Sequence, residues 1–398
     1  MSTAIIITIC LLLLFAYLFD VSSSKTKIPS VILLLLLGWG VKQGAIFLEI
    51  SIPNLTPILP ILGTIGLILI ILEGSLELEL NKSKLKIVGK YSLIAIFQML
   101  LISFGLAYSF YYFGGSTFKS GLINAIPLSI ISSAIAIPSA RNLITRNKEF
   151  ITYESSLSDI FGVIFFNFIT QNDNLNTETF GIILLQLLLM IIVSFVSTLG
   201  LAFLLSKIKH HIKFTPIILL IILIYSISKI YHLPSLIFIL IFGLFIGNLD
   251  ELKRFKIIAE LKPEILNFEV RKFKEITTEM TFMIRALFFL LFGYLIETSE
   301  LLNIDTVKWT VMITAGIFFI RAIFLKLFNI QTSPLLFIAP RGLITILLFL
   351  SIPVSQQLEI ANKSLILQVI ILTAIVMLFG LMKHKNKENL EIRQNVKP

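Results

Sequence analysis

The sequence predicts an all-α membrane protein of about thirteen transmembrane helices, arranged as two inverted repeats with broken helices that cross. Three observations support this fold class. Of the 398 residues, 57% are hydrophobic and 14% are charged, which is more apolar surface than a soluble domain can bury. Basic residues are concentrated in alternate loops. Two apolar segments that cross the membrane in opposite directions contain helix-breaking residues.

Thirteen apolar runs are long enough to cross, or nearly cross, a bilayer. They lie at about residues 4–20, 28–48, 57–79, 91–113, 119–140, 150–170, 178–206, 214–231, 234–249, 279–297, 306–328, 333–352 and 364–382. With the N-terminus outside, 25 of the 33 Lys and Arg residues fall in the odd-numbered loops and the C-terminal tail, and five fall in or beside the even-numbered loops. One missed span would invert every later loop, so this bias supports thirteen spans and a cytoplasmic C-terminus.

The same bias explains the net charge of +10, so no nucleic-acid partner is expected. The single Cys10 excludes an internal disulfide, and the four histidines lie near segment ends, which argues against a metal centre inside the membrane. We therefore expect no cofactor. The expected location is the inner (plasma) membrane of a bacterium, with the lipid bilayer as a partner.

Two of the predicted spans contain residues that disturb a helix. In the fifth span, the run IPLSIISSAIAIPSARN places Ser132 and Ser133 near mid-membrane and Pro138 shortly after them. In the twelfth, the run LLFIAPRGLITILLF places Arg341 between a proline and a glycine. Because these spans are seven apart, they cross the membrane in opposite directions. Unwound backbone at membrane depth is tolerated only inside protein or beside a cavity, so this pattern indicates an inverted-repeat secondary transporter.

The expected organisation is a single polytopic transporter domain over residues 1–398. Its parts are a first repeat at about 1–170, a linker span at 178–206, a second repeat at about 214–382 and a short cytoplasmic tail at 383–398. The longest loop, 250–278, has mixed charges and spaced apolar residues. Such a pattern is typical of an amphipathic helix on the membrane surface or of a simple connector between the repeats.

Three acidic residues lie well inside the predicted spans: Glu73, Glu154 and Asp159. A carboxylate at the bilayer centre costs at least about 2.5–3.5 kcal/mol unless it is paired, hydrated or functional. Asp159 is some ten residues from the cytoplasmic end of its span, or about 15 Å deep at 1.5 Å per residue. Helical periodicity puts Ser155 and Ser158 on its face. Oxygen ligands of this kind suit hard cations and protons, so we predict that a monovalent cation and a proton compete for Asp159.

The other polar residues at this depth have two possible roles each. Ser132 and Ser133 reach the depth of Asp159 from the fifth span and are candidate ligands. Ser155 and Ser158 are equally well explained as helix-packing serines, since a hydroxyl can bond its own backbone. Glu73, nearer the cytoplasmic face, either lines the site or pairs with an arginine.

For Glu154, in contrast to Asp159, a structural ion pair is preferred over an ion-binding role. Arg341 lies about eight residues deep in its span, too central to reach water easily, and so needs a buried anion. The preferred pair is Glu154 with Arg341, and Arg321 is the alternative partner. Arg321 and Arg285 lie closer to the cytoplasmic face, where long side chains can extend to water.

At these residues the chain resembles the monovalent cation:proton antiporter family, in its NhaP-like sodium/proton branch. That family carries an E-S-x-x-N-D stretch in its sixth span, where this chain has E-S-S-L-S-D at Glu154, Ser155 and Asp159. It carries F-E-x-G-L-E in its third span, where this chain has L-E-G-S-L-E with Glu73 on the glutamate.

The resemblance continues later in the chain. An arginine–glycine pair matches Arg341 and Gly342, and an arginine one span earlier matches Arg321. It implies an NhaA-like antiporter fold, a homodimer, and a mobile transport bundle that rocks against a dimerisation part. It further implies that Asp159 is the essential ion- and proton-binding carboxylate, with Ser155 and Glu73 as co-ligands.

Two positions depart from the family pattern. The asparagine before the key aspartate is Ser158 here, and the T-D-P of the broken fifth span is replaced by Ser132, Ser133 and Ala134. The first departure leaves one aspartate in place of a pair, which fits one-for-one, electroneutral exchange. The second removes a carboxylate that bears on ion selectivity.

The leading functional hypothesis is a secondary antiporter that exchanges Na⁺, or else Li⁺ or K⁺, for H⁺ by alternating access. A K⁺/H⁺ antiporter and a cation-coupled symporter for a small organic anion are alternatives on the same fold. A passive channel would show polar residues along a whole path, whereas this chain concentrates them at one depth. An enzyme is disfavoured, because Glu154 and Asp159 point to different helix faces and no histidine or cysteine nucleophile accompanies them.

Overall fold

The computed structural model describes residues 2–26, 28–50, 54–78, 85–141, 143–172, 177–207, 212–231, 233, 235–252 and 263–395. All regular structure in these ranges is helical. The helices are α1 (Ser2–Thr26), α2 (Ser30–Phe47), α3 (Ile58–Glu77), α4 (Leu85–Gly114), α5 (Phe118–Ser129), α6 (Ser133–Ser139), α7 (Thr145–Gln171), α8 (Thr177–Lys207), α9 (Phe214–Ile230), α10 (Leu236–Gly247), α11 (Leu249–Leu252), α12 (Pro263–Tyr294), α13 (Thr298–Leu301), α14 (Ile304–Leu327), α15 (Leu343–Leu350) and α16 (Lys363–Asn395). Short 3₁₀ turns lie at Leu335–Phe337 and Val354–Gln356.

The predicted apolar runs fall on these helices or on the two broken spans. In the described part of the chain, nine helical segments are long and apolar enough to cross a membrane, with Phe118–Ser139 counted as one. Two further apolar helices, Phe214–Ile230 and Leu236–Gly247, are shorter. The all-helical membrane fold is confirmed, while the total of thirteen spans and the division into two repeats stay predictions.

The helices pack into two bundles. In the first, α4 packs along α5 and α7, α14 packs against α4 and α16, and α15 packs against α5 and α7. In the second, α12 packs along α2 and α3, and α10 packs against α3 and α8. The two bundles meet where α3 contacts α6, α7 and α15. That contact line passes beside the candidate functional residues.

Glycines allow the closest approach within the second bundle. A Cβ atom on Gly38 of α2 would lie 2.2 Å from the Leu290 carbonyl oxygen, and one on Gly293 of α12 would lie 2.3 Å from the Leu35 carbonyl oxygen. Small residues of this kind let helix backbones meet in a membrane, where van der Waals packing drives helix association. The second bundle is therefore tightly packed along the α2–α12 line.

The two broken spans cross each other within the first bundle. The chain is not helical between α5 and α6, at residues 130–132, or at residues 338–342 before α15. The Ser132 backbone N–H donates to the Pro340 carbonyl oxygen at 2.9 Å, so each unwound segment satisfies part of the other. Lipid offers no partner for a free backbone group, which explains why both breaks are buried in protein.

Helix α12 differs from the prediction for the long loop. The sequence predicts a surface helix or connector in 250–278 and a span that starts near 279. Instead, α12 runs unbroken from Pro263 to Tyr294, so its 32 residues extend about 48 Å, longer than the bilayer core. The charged part of the loop from residue 263 onward thus continues the membrane helix. Residues 253–262 lie outside the described ranges.

Helix α13 is tied to both bundles by ion pairs. Lys42 of α2 lies 2.5 Å from Glu297, and Lys363 at the start of α16 lies 3.0 Å from Glu300. A hydrogen bond from the Lys42 ammonium, together with its charge, lowers the pKa of the Glu297 carboxyl. Pairs that are partly exposed contribute little to stability, so these contacts connect α13 to both bundles with only a small gain in free energy.

Candidate ion-binding site

Asp159 lies in the middle of α7, only 2% exposed, next to the crossing of the broken spans. Its Oδ2 atom accepts a hydrogen bond from the Ser133 backbone N–H at 3.1 Å and another from the Ser133 hydroxyl. Ser133 is the first residue of α6, where backbone N–H groups have no partner inside the helix. Oδ1 has no hydrogen-bond partner among the described residues. One carboxylate oxygen is therefore held in place and the other is available.

The remaining predicted hydroxyl groups have other partners or none. The Ser158 hydroxyl oxygen accepts from the Ile131 backbone N–H at 3.0 Å, which fixes the unwound segment to α7. The Ser155 hydroxyl donates to the Ile151 carbonyl oxygen at 2.7 Å, within its own helix. The Ser132 hydroxyl is buried without a partner in the described residues. Of the four serines, only Ser133 is hydrogen-bonded to Asp159 here, and a ligand role for the others stays a prediction.

A cavity of about 330 Å³ lies between the two bundles and reaches Ser133. It is bordered by residues from α1, α3, α6, α7 and α12, among them Glu73 and Ser133. Glu73 is half-buried in its wall, opposite Thr278 and Arg285. The Arg285 Nη1 atom also donates to the Ala134 carbonyl oxygen at 3.4 Å, across the boundary between the bundles. The cavity therefore extends to Ser133, the residue that donates hydrogen bonds to Asp159.

Thr278 and Arg285 are cavity residues that the sequence interpretation did not assign to the site. They are seven residues apart on α12, so they lie on the same face of the helix. The seven-residue spacing can be read from the sequence. The predicted tenth span, however, starts at 279, so it assigns Thr278 and Arg285 to different elements.

The expected pairing of Glu154 with Arg341 is wrong. Glu154 is fully buried and pairs with Arg321 instead, with Nη1–Oε1 and Nη2–Oε2 distances of 2.8 and 2.9 Å. Arg321 Nε donates to the Leu335 carbonyl oxygen at 2.8 Å, so its donors are distributed over one carboxylate and one backbone group. This two-point geometry is the favourable arrangement for a buried arginine and carboxylate. Glu154 thus has a fixed partner and does not join Asp159.

Arg341 is fully buried, as expected, but it binds carbonyl groups in place of a carboxylate. Its Nε, Nη1 and Nη2 atoms donate to the carbonyl oxygens of Leu128, Ala339 and Ser129 at 2.8, 2.7 and 3.1 Å. Leu128 and Ser129 form the C-terminal end of α5, where carbonyl groups have no helical partner and the helix dipole favours a cation. The helix break itself therefore supplies the negative partial charge that Arg341 needs.

Gly342 is required by the close contact at the crossing. A Cβ atom there would lie 2.7 Å from both the Ser132 hydroxyl oxygen and the Ile135 Cδ1 atom. We expect Gly342→Ala to lower the free energy of unfolding by about 1–3 kcal/mol through overpacking. Gly316→Ala is the matched control, because its Cβ atom would meet nothing within 4 Å on α14. Thermal unfolding in detergent measures both, and equal midpoints would contradict the tight crossing.

Comparison with known proteins identifies the family of the chain. Residues 10–383 match the family model described as sodium/hydrogen exchanger, transmembrane. No curated protein is detectably similar to the chain. Its fold is similar to the structure of the sodium proton antiporter MjNhaP1 from Methanocaldococcus jannaschii at pH 8, with a TM-score of 0.68, 20% identity, and coverage of 95% of this chain and 100% of that one.

An electron-microscopy structure of the same antiporter gives a TM-score of 0.66 at 18% identity, with 100% of each chain covered. At these identities the structural similarity concerns the fold, and the family follows from the sequence match over nearly the whole chain. The chain belongs to the transmembrane sodium/hydrogen exchanger family.

Proposed function

We propose that the chain exchanges one monovalent cation for one proton at Asp159. Cation/proton antiport is the activity of the family to which it belongs. The observation that carries the assignment is a buried carboxylate with one oxygen held by Ser133 and the other without a partner in the described residues. A proton on Oδ1, or a dehydrated cation beside it, would each neutralise the same charge, so the two ions compete for one site.

The hydrogen-bonding of the other buried acid supports a one-for-one exchange. Glu154 is neutralised by Arg321, so it offers no second exchangeable charge next to Asp159. Glu73 lies in the cavity wall, where it is suited to attract the cation before it reaches Asp159. One charge in each direction makes the exchange electroneutral. Na⁺ is the proposed cation, with Li⁺ and K⁺ as further candidates.

The cavity supports an access route from the cytoplasm. Exposed Arg141 and Lys148 border it, and both belong to a loop that the positive-inside rule assigns to the cytoplasmic side. Movement of the first bundle against the second would close this route and open one on the other side. A homodimer in a bacterial inner membrane, with the second bundle at the dimer contact, is part of the proposal and rests on the family resemblance.

The test is transport by purified protein in liposomes that contain a trapped pH dye. We expect an external Na⁺ pulse to make the interior alkaline, with choline chloride as the osmotic control and protein-free liposomes as the blank. An imposed membrane potential should leave the rate unchanged, because equal charges cross in each direction. No response to Na⁺, Li⁺ or K⁺ would contradict the substrate class. A need for an organic anion would favour the symporter, and a sustained current would favour a channel.

A further inference from the structure

Ser156 of α7 has a buried hydroxyl with an unusual environment. The residue is 4% exposed, and its oxygen has no hydrogen-bond partner among the described residues. A serine or threonine in a helix normally donates to the carbonyl group four residues earlier. Two neighbours do so: Ser155 bonds the Ile151 carbonyl oxygen at 2.7 Å, and Thr152 bonds that of Lys148 at 3.0 Å. The Ser156 hydroxyl is therefore turned away from its own backbone.

The Ser156 hydroxyl faces α3 at a glycine. A Cβ atom on Gly74 would lie 3.1 Å from the hydroxyl oxygen, so the absence of a side chain there leaves it room. Gly74 and the preceding Glu73 both line the cavity between the bundles. The hydroxyl thus lies at the contact between the two bundles, next to the polar space that an ion would enter.

Ser156 and Asp159 lie on the same side of α7. They are three residues apart, a spacing that places Cβ atoms about 5–6 Å from each other on a helix surface. Asp159 Oδ1 is likewise buried without a described partner. Buried polar atoms are nearly always hydrogen-bonded, so the lack of a described partner for both the Ser156 and the Asp159 oxygen calls for an explanation. A cation that has lost its water would supply the missing partner to both.

We propose that Ser156 is a further ligand of the transported cation and helps to set which monovalent cation is preferred. Its hydroxyl oxygen would coordinate the ion between the cavity at Gly74 and the carboxylate of Asp159. A neutral hydroxyl is a suitable hard donor for an alkali cation, and it leaves the charge balance of the exchange unchanged. This inference rests on the proposed function of Asp159.

The test compares Ser156→Ala with wild-type protein in the liposome assay. The half-saturating Na⁺ concentration should rise by about three- to tenfold, the scale of one lost polar contact. The maximal rate at saturating cation should stay close to wild type, and the order of preference among Li⁺, Na⁺ and K⁺ should change. Ser194→Ala is the matched control, since among the described residues that buried hydroxyl bonds only the Met190 carbonyl oxygen of its own helix, at 2.6 Å.

Two more variants keep the inference testable. If Ser156→Ala folds poorly, Ser156→Cys keeps the shape of the side chain but replaces the hard oxygen with a larger, soft sulfur, and it should show the same loss of affinity. Ser156→Thr keeps the hydroxyl and should retain the wild-type cation order. An unchanged half-saturating concentration and cation order would overturn the inference, as would an equal loss of rate with all three cations at unchanged affinity.

Asp159→Asn, measured in parallel, separates this inference from the proposed function. Wild-type transport by Asp159→Asn would overturn the proposed function, and the assignment of Ser156 would fail with it. A silent Asp159→Asn beside an unaffected Ser156→Ala would overturn the Ser156 assignment alone.

Discussion

Asp159→Asn will abolish cation-dependent proton movement while the protein stays folded. Asparagine has the same size and keeps a carbonyl oxygen that can accept both hydrogen bonds from Ser133. It cannot bind and release a proton, and it cannot neutralise a cation. The expected result is loss of the dye response to Na⁺, Li⁺ and K⁺ alike, with an elution profile and unfolding midpoint close to those of wild type.

The matched control is Asp305→Asn at the exposed start of α14, which makes the same chemical change far from the cavity. It should transport at the wild-type rate. Asp159→Glu keeps the charge but adds a methylene group to a buried site, which moves the carboxylate away from Ser133. We expect it to transport with reduced affinity. Full transport by Asp159→Asn would show that another group carries the proton.

The sequence was sufficient to predict that Asp159 is a buried carboxylate, because a charge near the bilayer centre is costly and few residues bear one. It was also sufficient to locate both helix breaks, since proline, glycine and serine clusters interrupt otherwise apolar runs. It could not assign the partners of the hydroxyl groups. Ser155 and Ser158 share a predicted helix face, but the first bonds its own helix and the second bonds the unwound segment.

The choice between the two arginines shows why depth alone is insufficient. Position along a span predicts how far Arg321 and Arg341 lie from water, and by that measure Arg341 needed the anion more. Depth does not predict which backbone groups are free nearby. The break after Ser129 leaves carbonyl groups that bind Arg341, so Glu154 remains for Arg321. Only the crossing of distant segments determines this, and no local sequence pattern encodes it.

The Glu154–Arg321 pair will show a large loss of stability when either partner is removed. Both side chains are fully buried, and the Arg321 Nη1 atom lies 2.8 Å from the Glu154 Oε1 atom. Glu154→Gln or Arg321→Met leaves one buried charge uncompensated, which is expected to cost about 3–5 kcal/mol of unfolding free energy. Glu300→Gln is the control, because its pair with Lys363 is partly exposed. That change should cost about 0–1 kcal/mol.

A double-mutant cycle then tests which arginine is the partner. Removing both charges with Glu154→Gln and Arg321→Met should recover much of the single-variant loss, because replacing a whole buried pair is often nearly neutral. The parallel cycle with Arg341→Met should recover far less, since Arg341 bonds the carbonyl groups of Leu128, Ser129 and Ala339, and these lose their donors whatever occupies position 154. The unfolding free energies of wild type, the three single variants and the two double variants give both coupling energies. Equal coupling in the two cycles would mean that Glu154 neutralises both arginines, and stronger coupling to Arg341 would contradict the pairing with Arg321.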